Sequence, residues 1–191
     1  MSLRTFTRLL FLLATMTICT TVLHASAITG SIPFAGFNVT QNGTDLTTST
    51  IFTGTDSQAS SAGAGDFSIV LPMTSFGMFS LMITSISSGG GFSISNSGFG
   101  TFVASGGSIQ HETASGLVVD LTGTYTPGSS FPGLTATPAD ATLAFTQNGS
   151  SISASFTLVA IPEPATMVTM GIGCGTALLL RRKVRRKLCQ E

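Results

Sequence analysis

The sequence predicts an all-β body, an antiparallel β-sandwich or jelly-roll-like fold, flanked by an N-terminal signal helix and a C-terminal transmembrane helix. Three observations predict this. Apolar and polar residues alternate with period two in several runs between residues 28 and 161, as half-buried strands require. Turn signals rich in Gly, Asn and Ser separate those runs, and no body segment repeats its apolar residues at the 3.6-residue helical period. Two apolar segments with basic flanks lie outside the alternating region, one near each end of the 191-residue chain.

Residues 1–27 read as a secretory signal peptide. Arg4 and Arg8 form a positive start, Leu9–Val22 supplies the apolar stretch, and Ala25-Ser26-Ala27 supplies the small-residue cleavage pattern. Cleavage after Ala27 makes Ile28 the mature N-terminus and engages the Sec translocon and signal peptidase. An uncleaved membrane anchor is the competing reading. Lipid attachment at Cys19 is disfavoured because bulky Ile18 precedes it.

Residues 28–161 form the body. In Gly116–Tyr125, Leu117, Val119, Leu121 and Tyr125 point one way, and Val118, Asp120, Thr122 and Thr124 the other. Leu143 and Phe145 belong to a similar strand, as do Ile152, Ala154, Phe156 and Leu158. Gln147-Asn148-Gly149-Ser150 joins the two as a tight hairpin, because Asn and Gly tolerate positive φ. A second Gln-Asn-Gly at Gln41–Gly43 predicts a hairpin between Ile32–Thr40 and Leu46–Phe52. Phe67–Leu71, Phe76–Ser87 and Gly91–Ala104 supply further strands, with a bulge expected near Gly98. Ser57–Gly65 and Tyr125–Asp140 read as loops. About a third of the body is Ser or Thr, which raises a disordered stalk as an alternative; twelve Phe residues between 28 and 161 argue against it.

Charge narrows the function. All eight Lys and Arg lie in the end segments, and residues 28–161 carry six acids and no base, hence −6 with His111 neutral. Such a body cannot neutralise phosphates, which excludes nucleic acid as a partner. The three cysteines, Cys19, Cys174 and Cys189, also lie outside the body, so it has neither a disulfide nor a thiolate metal site.

The C-terminal region, residues 162–187, has three parts. Pro162-Glu163-Pro164 interrupts the ladder, since proline lacks an N–H. Residues 165–180 are uncharged and apolar, and Arg181, Arg182, Lys183, Arg185, Arg186 and Lys187 form a basic stop-transfer cluster. Sixteen helical residues span about 24 Å, short of the roughly 30 Å hydrocarbon core, a gap that snorkelling and bilayer thinning close. The positive-inside rule keeps the cluster cytoplasmic and the body outside the inner membrane.

This order resembles the PEP-CTERM sorting signal of Gram-negative bacteria. The resemblance covers Pro162 to about Lys187. It implies that Pro162, Glu163 and Pro164 are the triplet recognised by an exosortase, which cuts near it and passes the protein to the cell surface. Such systems accompany exopolysaccharide and biofilm formation. The resemblance implies nothing about the body, because these tails serve many unrelated domains. A lasting single-pass anchor is the alternative for the tail.

Catalytic patterns are sparse. His111-Glu112 begins a zinc-helix motif, but Ser115 stands where the second His is needed, so no metal site is expected. No G-x-S-x-G elbow occurs. Asp45, Asp56 and Asp66 lack calcium-loop spacing. The triplets beginning at Asn38, Asn42 and Asn148 match glycosylation acceptors, but a turn role suffices. Asp120 and Asp140 are candidates for paired-carboxylate glycoside chemistry, which spatial separation decides. The reading is a non-enzymatic protein without cofactor, associated with extracellular polysaccharide. The alternatives are a secreted carbohydrate-active enzyme and a lectin-like module, the latter weakened by the lone Tyr125 and the lack of Trp.

Overall fold

The computed structural model describes residues 26–161. In chain order its strands are β1 (Ser26–Ala27), β2 (Gly30–Phe37), β3 (Thr40–Gln41), β4 (Ile51–Gly54), β5 (Asp56–Ala59), β6 (Ala64–Gly65) and β7 (Phe79–Met82). They continue as β8 (Ser93–Asn96), β9 (Gly100–Glu112), β10 (Gly116–Pro127), β11 (Leu134–Thr135), β12 (Thr137–Asn148) and β13 (Ser151–Ala160). Short 3₁₀ turns occupy Asp66–Ile69 and Ile83–Ser88. Among the described residues no helix is long and apolar enough to cross a membrane. The expected signal helix and the span at 165–180 lie outside the described residues, save for Ser26 and Ala27.

The antiparallel all-β expectation holds. The main sheet runs β5-β2-β13-β12-β10-β9-β8, with β6 also on β2, and a smaller sheet runs β3-β4-β7. The main sheet curls until its outer strands nearly meet. Ser75 bridges Gln58 on one side, and the Phe76 carbonyl accepts from the Ser95 N–H at 2.9 Å on the other. The smaller sheet covers the opening and packs its Phe52 on Phe145 of β12, with ring centroids 4.7 Å apart.

Phenylalanine builds the interior. Phe34 and Phe156 stack at 4.8 Å, and Phe79 and Phe92 close on Phe156 at 5.9 and 5.6 Å. At one end Phe67 meets Tyr125 edge-on at 5.0 Å, and Phe131 follows at 5.9 Å. The alternation in β10, β12 and β13 falls as expected, with Leu117, Val119, Leu121, Leu143, Phe145, Phe156 and Leu158 all buried.

Several local expectations are corrected. The C-terminal hairpin forms, but Asn148 pairs with Ser151, so Gly149 and Ser150 are its two loop residues. Only Gly149 has positive φ (60°), which is the II′ arrangement with Gly first. The Gln41–Gly43 segment makes no tight turn. Thr40 and Gln41 pair with Thr53 and Phe52 across a long loop, and β2 pairs instead with β13 and β5. Asn42 organises that loop, its side-chain oxygen accepting from the N–H groups of Thr50 and Ile51 at 2.9 and 3.0 Å.

Phe67 lies in a 3₁₀ turn rather than a strand, and Ile83–Ser88 turns out of the ladder after β7. Gly98 marks a hairpin turn, not a bulge. Asn96 pairs with Gly100, and its side chain accepts from the N–H groups of Gly98 and Phe99, each at 2.9 Å. The bulges lie instead in the β9–β10 pairing, at Val118/Val119 and Thr122/Gly123. The two expected loops both contain strands: β5 and β6 in the first, β11 and the start of β12 in the second. Polar β5 pairs because its Ser57 is wholly buried and donates its hydroxyl to the Gly77 carbonyl at 2.9 Å.

Candidate functional site

The sorting junction begins where β13 ends. β13 is an interior strand between β2 and β12, and it is paired to its last residue: Ala160 faces Gly30 on one side and Ala139 on the other. Ile161 is held one step further, its N–H donating to the Pro138 carbonyl at 2.9 Å. Pro162 follows at once and cannot extend the ladder. In sequence, only Ile161 separates the end of this braced strand from the triplet.

The N-terminal junction is equally fixed. Ser26 and Ala27 pair in parallel with Leu134 and Thr135. Ile28 is 0% exposed, so the expected first residue of the mature chain is a core residue. Asp66 clamps its neighbour, accepting from the Thr29 N–H at 2.7 Å and the Thr29 hydroxyl at 3.1 Å and donating its own N–H to the Thr29 carbonyl at 2.8 Å. Ala25, Pro162, Glu163, Pro164 and the basic cluster lie outside the described residues.

Residues 160–186 match the family model of the PEP-CTERM protein-sorting motif. The tail carries a PEP-CTERM sorting motif. The motif implies an exported protein, sorted through membrane anchorage and processed by an exosortase. No curated protein and no solved structure matches the chain. The match leaves the body at 28–159 to be read from its own geometry.

Asp45, Asp56 and Asp66 serve the fold. Asp45 accepts from the N–H and hydroxyl groups of Thr47 and Thr48, led by the Thr47 hydroxyl at 2.8 Å, and these bonds hold its carboxyl below the ordinary value. Partial burial works against ionisation of Asp56. Hydrogen bonds from Ser75, Gln58 and Ser57 outweigh it and lower that carboxyl as well. Asp45, Asp56 and Asp66, considered above for calcium, are each engaged by different partners. His111 stands exposed near the end of β9, as expected of a strand-end histidine. Among the described residues no three His, Cys, Asp or Glu side chains gather to hold a metal.

Asp120 and Asp140 do share a face. Asp120 pairs with Thr142 and Asp140 with Thr122, so the two carboxylates sit on one diagonal of the β10–β12 pair. Such diagonals are roughly 7–8 Å long. The Thr142 hydroxyl donates to Asp120 at 2.7 Å. Around them the outer face of β10, β12 and β13 presents the exposed hydroxyls of Thr122, Thr142, Thr146, Ser153, Ser155 and Thr157. Thr142 faces Thr157 and Thr146 faces Ser153, so hydroxyls repeat both across and along the strands. Single-strand alternation placed these residues outward; only the register assembles them into one surface.

Proposed function

We propose that the body is a non-enzymatic component of an extracellular polysaccharide matrix, delivered to the cell surface or matrix by its sorting tail. The observation that carries this reading is the ordered hydroxyl face of β10, β12 and β13 on a body without Lys or Arg. Hydroxyl rows about 5 Å apart across strands and about 7 Å apart along them suit a polymer that repeats its own hydroxyls. Each hydrogen bond contributes about 1 kcal/mol net, so affinity comes from many contacts along a chain. A charge of −6 favours neutral glycans over anionic ones.

The diagonal placement of Asp120 and Asp140 supports a second reading, a glycoside hydrolase that uses the two carboxylates as a pair. An open outer face admits bulk water on all sides, which weakens that chemistry. Co-sedimentation with exopolysaccharide from the source organism tests the first reading. Binding should be lost in the Thr142→Val, Ser155→Val, Thr157→Val triple variant, with no reducing ends released by the unmodified body. Release of reducing ends that stops in Asp120→Asn or Asp140→Asn would replace the matrix role with the enzymatic one.

A further inference from the structure

Both junctions emerge from one pole of the body. β2 and β13 are antiparallel neighbours with Gly30 opposite Ala160, so Ile28 and Ile161 lie at the same end. The Gly128–Gly133 loop and the β8–β9 turn lie at this same end, where Pro127 pairs with Gly100 and the Ser130 N–H donates to the Gly98 carbonyl at 2.8 Å. The opposite pole holds the Gly149-Ser150 turn, the turn between β9 and β10, and the Asn42–Thr50 loop, which meets it where the Leu46 N–H donates to the Ala114 carbonyl.

Chain length fixes how far this pole stands from the membrane. Ile161, Pro162, Glu163 and Pro164 are all that separates Ala160 from the apolar segment beginning at Ala165. Fully extended, that stretch reaches at most about 18 Å, and the headgroup layer alone takes up about 5–8 Å of it. The twelve residues of β12 run about 40 Å, so the opposite pole stands that much further out. Of the six body acids, Asp45, Asp56 and Glu112 lie toward that far pole, whereas Asp66, bonded to Thr29, and Asp140, paired with Val159, lie toward the near one. The three far acids are thus beyond the roughly 8–10 Å over which an anionic lipid surface acts. Next to the junction, Val159 and Ile161 are 42% and 41% exposed and offer apolar contacts.

We propose that, before its tail is removed, the folded body rests on the outer phospholipid headgroups through this pole, with Val159, Ile161 and the Gly128–Gly133 loop facing the lipid. The assignment rests on the sorting reading of the tail and adds an orientation to it. The processing enzyme then meets the Pro-Glu-Pro triplet directly beneath a folded domain.

The test uses the signal-processed chain, residues 28–191, with Cys174 and Cys189 changed to Ser, in phosphatidylethanolamine–phosphatidylglycerol vesicles. A fluorophore is attached through Ser130→Cys at the near pole or Ser150→Cys at the far pole, both exposed hydroxyl positions. With nitroxide-labelled headgroups, quenching should be several-fold stronger at position 130 than at 150. Equal quenching, or stronger quenching at 150, would overturn the orientation. Inserting thirty Gly/Ser residues between Ile161 and Pro162 adds a coil of about 30 Å and should make the two positions equal. A contrast that survives the insertion would overturn the role of the short tether. Neither arm depends on polysaccharide binding, so failure of that reading leaves this one standing.

Discussion

The Gln41 side-chain amide donates to the Gln147 side-chain oxygen at 3.1 Å, joining the two Gln-Asn-Gly segments across 106 positions of sequence. Gln147 carries more of this junction. Its own amide donates to the carbonyls of Thr44 and Gly149 at 3.1 and 2.9 Å, binding the long β3–β4 loop to the last hairpin. The Gln41 oxygen, by contrast, is buried with no hydrogen-bond partner.

The two glutamines should therefore respond unequally to substitution. Gln147→Ala should cost about 1–2 kcal/mol, because it leaves several groups without partners. Gln41→Leu should be nearly neutral, since it removes an unsatisfied buried oxygen along with one hydrogen bond. Urea unfolding of both variants checks this, and equal losses would contradict the asymmetry.

Tyr125 should make stability fall in alkali. Its hydroxyl donates to the Phe99 carbonyl at 2.6 Å inside the core, and burial pushes its phenol above the ordinary value. The unfolded phenol ionises at about pH 10 while the folded one stays protonated, so the unfolded state binds fewer protons above that pH. Stability should hold below about pH 10 and then fall by up to about 1.4 kcal/mol per pH unit. With one Tyr in the chain, ultraviolet titration reports this residue alone. The alkaline slope should shrink in Tyr125→Phe; an unchanged slope would point elsewhere.

Phe156 is the hub of the core, touching Phe34, Phe79 and Phe92. Phe156→Ala should cost about 3–5 kcal/mol and lower Tm by on the order of 10–20 °C. A shift of under 3 °C in a thermal melt would show that the phenylalanine cluster is not what holds the sheets together.

Two glycines should fail for different reasons. Gly149 has φ of 60° and open space around it, so Gly149→Ala costs only backbone strain, about 1 kcal/mol. At Gly123, beside the β9–β10 bulge, an added Cβ would lie 2.2 Å from the Val103 carbonyl oxygen. Gly123→Ala should be the more damaging by well over 1 kcal/mol in paired unfolding measurements. Comparable losses would mean that the bulge can open to admit the methyl.

Legibility in the sequence tracked the kind of signal. Leu117 to Tyr125 and Ile152 to Leu158 alternate cleanly, because each strand has one face in the core and one in water, and both formed as read. Polar β5 gave no such signal, since Ser57 is buried by a hydrogen bond to Gly77 rather than by apolar character. Phe67 looks like a strand residue by composition and Phe131 falls in an expected loop, yet both fill the end of the core, which neither reading foretells. The sorting tail was readable because its parts are contiguous. The same-pole placement of Ile28 and Ile161 was not, because it follows from the Gly30–Ala160 register, a long-range pairing that local pattern does not encode.

Mass spectrometry of the exported protein decides whether both ends are removed and the braced β-body is what is delivered. The expected chain begins at Ile28, ends close to Pro162 and lacks the apolar segment and basic cluster. A mature surface protein that still carries Leu178 to Lys187 would contradict it.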